Sequence, residues 1–288
     1  MKEELYPVIR QGEHPVMIQN KEGAMEYLTF PMLENISCIR HLFTTRLGGV
    51  SKGIYASMNL SFTRGDKKED VMENFRQVGR VLLALPEAFV CSDQTHTTNI
   101  RVITKKDMGK GLIRERDYKD IDGLITKEKG IVLSTFYADC VPLYIVDPVR
   151  EAIGLSHSGW KGTVGKIGQK TVQKMEEEFG SKPEELICAI GPSICKDCYE
   201  VSRDVALEME TCFEGNQEIL DQILFPKRNG KYQLDLWKAN RFIFEGAGVK
   251  REHIQVTDIC TCQNPDYLFS HRASMGKRGN LGAFLMLK

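Results

Sequence analysis

Two short runs carry the side chains best suited to chemistry: Ala138-Asp139-Cys140-Val141-Pro142 and Ser156-His157-Ser158-Gly159-Trp160-Lys161-Gly162-Thr163. Cys140 stands where two apolar, β-rich runs meet, and His157 closes the next such run, just ahead of a helix start. If these runs pair antiparallel, thiol and imidazole meet at one edge of a sheet. Such a pair can be a nucleophile with its base or two ligands of a zinc site. It can equally be a buried thiol beside a hydrogen-bonded ring. Spacing alone leaves the three readings open. Catalytic zinc takes three protein ligands and keeps a fourth position open. His96, in the polar loop Gln94-Thr95-His96-Thr97, could be the third. The separations of 44 and 17 residues between His96, Cys140 and His157 follow no local metal motif. His14 and His253 sit in charged surroundings, and His41 lies inside a strand candidate and reads as structural.

Other groups are less specific. Cys195-Lys196-Asp197-Cys198 and Cys260-Thr261-Cys262 supply four thiols. Zinc ribbons pair two C-x2-C knuckles, whereas the second half here is C-x-C, so these read as loop and strand-end thiols rather than a ribbon. Gly159 to Thr163 joins a strand to a helix, where free N–H groups and Lys161 could receive an anion; the spacing is not that of a nucleotide-triphosphate loop. Arg46 and Arg272 present planar forks suited to an anion or carbonyl. Asp139, beside Cys140, is either a proton carrier or a strand-end acceptor.

The elements that must position these groups follow from periodicity. Val71, Phe75, Val78, Leu82 and Leu85 recur at helical spacing after Asp66 and Glu69, a capping-box-like start, with Pro86 as the stop. Val164, Ile167, Thr171, Met175 and Phe179 predict a second helix. Asp235 caps a third that runs past Ile243 to Gly248. Strands are predicted at Pro15 to Ile18, Ile39 to Thr44, Asn99 to Ile103, Ile131 to Tyr137, Val141 to Val146, Glu151 to Ser156, Leu186 to Ile190 and Ile254 to Thr257. Arg46 to Gly65, rich in Gly, Ser and Asn, reads as a long functional loop. Strands and helices mix without strict βαβ alternation, which predicts an α+β or layered architecture with mixed sheets.

The chain has 288 residues, enough for a sizeable core, with no repeat or linker, so one domain over 1–288 is expected. Thirty-nine basic residues balance 39 acidic ones, which argues against bulk electrostatic binding of nucleic acid. No run approaches the ~20 apolar residues of a membrane span. Nine cysteines, an odd number, with no visible signal segment suggest reduced thiols in a cytoplasm.

Taken in order, these segments resemble the YfiH/YlmD family, long described as polyphenol oxidase or laccase-domain proteins, with human FAMIN and a peptidoglycan editing factor among its relatives. The matching motifs are Thr44-Thr45-Arg46-Leu47-Gly48-Gly49-Val50-Ser51, Tyr55-Ala56-Ser57-Met58-Asn59-Leu60, Gly65-Asp66, Gln94-Thr95-His96, the Cys140 and His157 runs, Ile190-Gly191-Pro192-Ser193-Ile194, Cys198-Tyr199-Glu200-Val201, Asp235-Leu236-Trp237, Cys260-Thr261 and Phe269-Ser270-His271-Arg272. They span about residues 35 to 288.

The resemblance implies a layered α-β-β-α fold with mixed sheets and a metal site of His96, Cys140 and His157, zinc rather than copper. It implies phosphorolysis of adenosine, inosine and methylthioadenosine, and deamination of adenosine, with purine nucleosides and phosphate as ligands. Arg46 and Arg272 would line the pocket, Asn59 and Cys260 would lie near it, and Lys161 and Asp139 would assist. The oligomeric state stays open. A laccase needs several copper ions and many more histidines than the six present. Three positions depart from the family pattern: Thr97 replaces a glycine, Ser158-Gly159-Trp160-Lys161 stands for Ala-Gly-Trp-Arg, and Ala273 replaces a second arginine. None removes a metal ligand. The alternative activity is a Cys140–His157 thiol hydrolase acting on a peptidoglycan precursor or another amide or glycosidic substrate, because the fold is related to Cys–His toxin deamidases. A third reading is a binding partner without turnover.

Overall fold

Continuous apolar runs whose residues alternate between two buried faces build this structure, a computed structural model that describes residues 5–288. One six-stranded sheet runs, edge to edge, Ile18–Glu22, Met25–Thr29, Ile39–Thr44, Leu281–Leu287, Val132–Tyr137 and Phe89–Cys91. The other runs Ile254–Val256, Ile187–Ile190, Val141–Asp147, Ala152–Ser158, Gly123–Thr126 and Ile100–Val102. Both are mixed, with parallel pairs at Phe89–Cys91/Val132–Tyr137, Ile187–Ile190/Ile254–Val256 and Ile100–Val102/Gly123–Thr126.

Phe43, Leu133 and Leu285 of the first sheet pack with Tyr144, Ile153 and Leu155 of the second, so the sheets are face to face. Their neighbours Leu42, Val132 and Phe284 point the other way and bury against Val71, Phe75, Val78 and Leu82 of helix Lys68–Leu82. Leu143 and Ile145 do the same against Ile167, Val172 and Met175 of helix Ile167–Phe179 and Phe244 of helix Leu236–Gly246. Strands buried on both faces lose polar alternation, which is why they read as unbroken apolar runs. The layers are α-β-β-α, as expected. Among the described residues no helix is long and apolar enough to cross a membrane.

Several boundaries differ from the sequence reading. The helix expected from Asp66 starts at Lys68; Asp66 accepts the Lys67 N–H and the Asn59 amide, both at 2.9 Å, instead of capping it. The helix expected across Val164 to Phe179 is two, Trp160–Val164 and Ile167–Phe179, because Lys166 takes a left-handed conformation between them. Pro15 to Met17 is not a strand. The Asp258 carboxylate accepts the N–H groups of Val16 at 2.9 Å and Met17 at 3.1 Å, and pairing starts only at Ile18. The C-terminal strand Leu281–Leu287, central to the first sheet, was not singled out.

Phe75 is fully buried and packs edge-to-face on Phe89, Phe136 and Phe284. Phe75→Ala is expected to destabilise the protein by about 3–5 kcal/mol, read as a lowered urea midpoint with unchanged slope.

Candidate active site

A hairpin brings Cys140 and His157 together. Val141–Asp147 and Ala152–Ser158 pair antiparallel with Val141 opposite Ser158 and Pro142 opposite His157, so Cys140 sits just past the pairing at the hairpin's open end. Asp139 (φ +86°) turns the chain into that position. His96 arrives from the loop after Phe89–Cys91 in the opposite sheet, also left-handed at φ +67°. Its Nε2 lies 3.8 Å from the Cys140 sulfur. The two imidazole centroids are 4.9 Å apart at 77°. One ligand atom from each of the three residues lies within 4.8 Å of the others.

Gly159 keeps this space open. A Cβ there would come within 2.9 Å of His96 Cδ2 and 3.0 Å of the Cys140 sulfur. Its φ of −73° is ordinary, so close approach rather than backbone freedom requires the glycine.

One carboxylate orients the His157 imidazole and fixes the backbone of His96. Asp122, fully buried at the start of strand Gly123–Thr126, accepts from His157 Nδ1 at 2.7 Å and from the His96 N–H at 3.1 Å through the same oxygen. Its other oxygen accepts the N–H groups of Thr95 at 3.2 Å and Thr97 at 2.8 Å, and the Thr97 hydroxyl at 2.9 Å. Burial pushes the Asp122 carboxyl up, but His157 and Thr97 outweigh it and hold it below the ordinary value. With Nδ1 engaged, Nε2 is the His157 nitrogen free to ligate. Burial pushes the Cys140 thiol up, yet the imidazoles of His157 and His96 bring it down to about 6. Burial likewise lowers His157, while Cys140 and Asp122 raise it to about 9. The metal-free pair is therefore thiolate and imidazolium near neutral pH. A thiolate plus two imidazoles, one backed by a carboxylate, is a donor set that fits zinc.

The three side chains line a cavity of about 310 Å³, at the lower end of ligand-site volumes. Gln94 fixes one wall by pairing with both backbone groups of Phe136 at 2.7 Å. Arg64, Arg116 and Arg278 line the same cavity. Arg116 is paired with Asp93 at 2.7 Å. Arg278 is buried, and its Nε has no partner among the described residues. Burial and neighbouring Arg64 lower Arg278 to about 10. A wider depression of about 880 Å³ adjoins across Phe62 and Arg116 but contains none of the three ligand residues.

A family model described as multi-copper polyphenol oxidoreductase laccase matches residues 40–288. The chain belongs to this family. It is 37% identical over 255 residues to purine nucleoside phosphorylase YlmD of Bacillus subtilis, covering 85% of this chain and 87% of that protein. The crystal structure of the Bacillus licheniformis hypothetical protein YfiH superposes with a TM-score of 0.86 at 31% identity, over 93% of this chain and 97% of that one. That of YlmD from Geobacillus stearothermophilus gives 0.83 at 32% identity, over 94% and 99%.

In this laccase-family chain the remaining residues expected at the site lie elsewhere. Arg46 spends its guanidinium on the carbonyls of Ala56 at 2.9 Å and Pro265 at 2.6 Å and stacks on Phe269. Arg272 binds the carbonyls of Cys198 at 3.2 Å and Glu200 at 3.1 Å. Asn59 ties Ser61, Asp66 and Asn280 together. Asp139 accepts from the Thr261 hydroxyl at 2.6 Å and the Arg272 N–H at 2.7 Å, which makes it a brace behind Cys140. Cys260 is fully buried beside Cys195. Lys161 is exposed over Trp160, and Thr163 is spent on Ser158 and Gly159, so the anion loop expected there is internally satisfied. None of these six residues lines the cavity.

The sequence reading missed Asp122, Arg64, Arg116 and Arg278. Asp122 stands 35 residues from His157, and no local motif links them. The one available signal was a lone acid immediately ahead of a strand.

Asp122→Asn keeps the shape but removes the charge that orients the His157 ring and anchors the His96 backbone. It is expected to weaken zinc binding by roughly 10- to 100-fold in a chelator competition titration while leaving the far-ultraviolet circular dichroism unchanged.

Proposed function

We propose that the chain is a zinc-dependent purine nucleoside phosphorylase acting on adenosine, inosine and methylthioadenosine, with adenosine deamination as a second activity of the same site. The observation that carries this reading is the convergence of His96, Cys140 and His157 on a cavity that also holds Arg278, whose Nη1 is tied to Gly279 and Asn280 while its Nε has no partner among the described residues. The relatives' names supply the substrate class. The donor sets argue against multi-copper chemistry. Among the described residues only two groups could ligate a metal, this one and an all-thiol one, and four of the six histidines belong to neither. His41, for example, accepts the Phe30 N–H at 2.8 Å.

His96, Cys140 and His157 would hold a zinc ion, which when bound would supply Lewis acidity toward a substrate or water oxygen. The chain's own residues do the rest. Arg278, with Arg64, holds phosphate against the ribose by charge-assisted hydrogen bonds. In phosphorolysis a phosphate oxygen bonds to ribose C1′ as the bond from C1′ to the purine nitrogen breaks, its electron pair leaving with the base. Phe136 and Tyr137 wall the cavity and limit water. Asp122 keeps the His157 ring from rotating during the reaction and holds the backbone of His96 in place.

A second reading has one observation in its favour. Cys140, His157 and Asp122 form a nucleophile–base–orienter chain, as a thiol hydrolase needs. His96 against the same sulfur and the gap kept by Gly159 favour the metal instead.

The deciding experiment is product analysis by mass spectrometry on zinc-loaded protein given adenosine. Adenine and ribose 1-phosphate are expected only when phosphate is present, and inosine with or without it. No turnover of adenosine, inosine or methylthioadenosine would overturn the proposal. Arg278→Gln is expected to raise the phosphate KM about 10- to 100-fold while leaving deamination nearly unchanged. Iodoacetamide is expected to modify Cys140 only after chelation, at a rate rising as pH passes upward through about 6, where the thiolate forms. Equal labelling of zinc-loaded protein would favour the hydrolase.

A further inference from the structure

The two cysteine pairs set aside as loop thiols come together. The loop after strand Ile187–Ile190 carries Cys195 and Cys198, and the loop after strand Ile254–Val256 carries Cys260 and Cys262. Those strands are parallel neighbours, so both loops leave the same end of the sheet. Their first residues stay paired: Ser193 bridges Cys260, and the Thr261 N–H donates to the Ser193 carbonyl at 3.1 Å. The sulfurs of Cys195, Cys198 and Cys260 lie within 4.8 Å of one another. Cys262, half-buried two residues after Cys260 in the same loop, stands just outside that group of three.

One backbone donor already faces the cluster: the Cys195 N–H donates to the Cys260 sulfur at 3.2 Å. The Cys198 N–H closes a tight turn onto the Cys195 carbonyl at 3.1 Å, which brings the Cys195 and Cys198 side chains to the same side. An N–H aimed at sulfur stabilises it when it carries charge, as a metal-bound thiolate does. Cys195 and Cys260 are buried, where uncompensated thiolates would be costly, and Arg272 stands beside the cluster with its guanidinium on the Cys198 carbonyl. Zinc–sulfur bonds of ~2.3 Å at tetrahedral angles put sulfurs ~3.8 Å apart, a spacing that the Cys195, Cys198 and Cys260 sulfurs, within 4.8 Å of one another, reach with small adjustments and that Cys262 completes by turning its side chain inward.

We propose that Cys195, Cys198, Cys260 and Cys262 form a second, structural zinc site, distinct from the His96/Cys140/His157 centre. Each thiol gives up its proton to solvent as the ion binds, and no electron is transferred. All four ligands come from protein, so the site is closed and does no chemistry. Its consequence is mechanical. The Ile194 N–H donates to the Asp139 carbonyl at 3.0 Å, and Thr261 and Arg272 donate to the Asp139 carboxylate. Clamping the two cysteine loops therefore fixes the residue immediately before Cys140. The inference does not depend on the nucleoside reading.

The test is metal content of full-length protein purified under reducing conditions. Wild type is expected to hold two zinc equivalents per chain. The His96→Ala/Cys140→Ser/His157→Ala variant is expected to keep one. Reconstituted with cobalt, that variant should give the intense sulfur-to-cobalt charge-transfer absorption of a tetrahedral thiolate site. Cys195→Ser/Cys260→Ser should lose one equivalent. If that variant does not fold, the first variant decides alone. A metal-free first variant, whether its four thiols are freely alkylated or paired as disulfides, would overturn the proposal.

Discussion

A single buried carboxylate sets the geometry on which the site depends. Asp122 fills its acceptor positions with the N–H groups of three consecutive residues, a hydroxyl and an imidazole. A buried anion is costly unless it is saturated in this way. Saturation here fixes the left-handed turn at His96 and the ring of His157 together. The two imidazoles come from opposite sheets, yet one acceptor places them both. Rotation of the His157 ring, or release of the His96 backbone, would leave charge unsatisfied in the interior, so both residues are placed before any ligand arrives.

The layered core makes that arrangement rigid. Cys140 and His157 leave the same end of a hairpin whose strands are buried on both faces, and slipping the register by one residue would turn every side chain over. The facing sheet delivers His96 and, through Gln94, ties its loop to the end of Val132–Tyr137. Asp139 takes strain in a left-handed conformation and is braced from behind by Thr261 and Arg272. The Arg46 and Arg272 guanidinium groups bind backbone carbonyls. Three other arginines, Arg64, Arg116 and Arg278, line the cavity.

Much was legible in the sequence where the cause is local. Helical spacing of Val71, Phe75, Val78 and Leu82 gave a helix because one face must be buried. Asp235 capped its helix as expected, accepting the Lys238 N–H at 2.9 Å. The two apolar runs around Cys140 and His157 are strands, and they pair antiparallel, the condition under which thiol and imidazole meet. The start expected at Asp66 failed because its carboxylate had a tertiary partner, Asn59, that outcompeted the local cap. The C-terminal strand passed unnoticed because a short apolar run has no periodicity to separate strand from helix.

By itself the sequence determined the inventory: two histidines and a cysteine able to ligate, two cysteine pairs, and unbroken apolar runs that demand burial on both faces. Only the tertiary structure decided which groups meet. Asp122 reaches His157 across 35 residues, and Cys195 reaches Cys260 across 65. Arg278 enters the cavity while Arg272, six residues earlier in the chain, does not. Those encounters are set by strand order and by the direction in which each loop leaves its sheet. No residue spacing encodes them, because they arise from packing between segments distant in the chain.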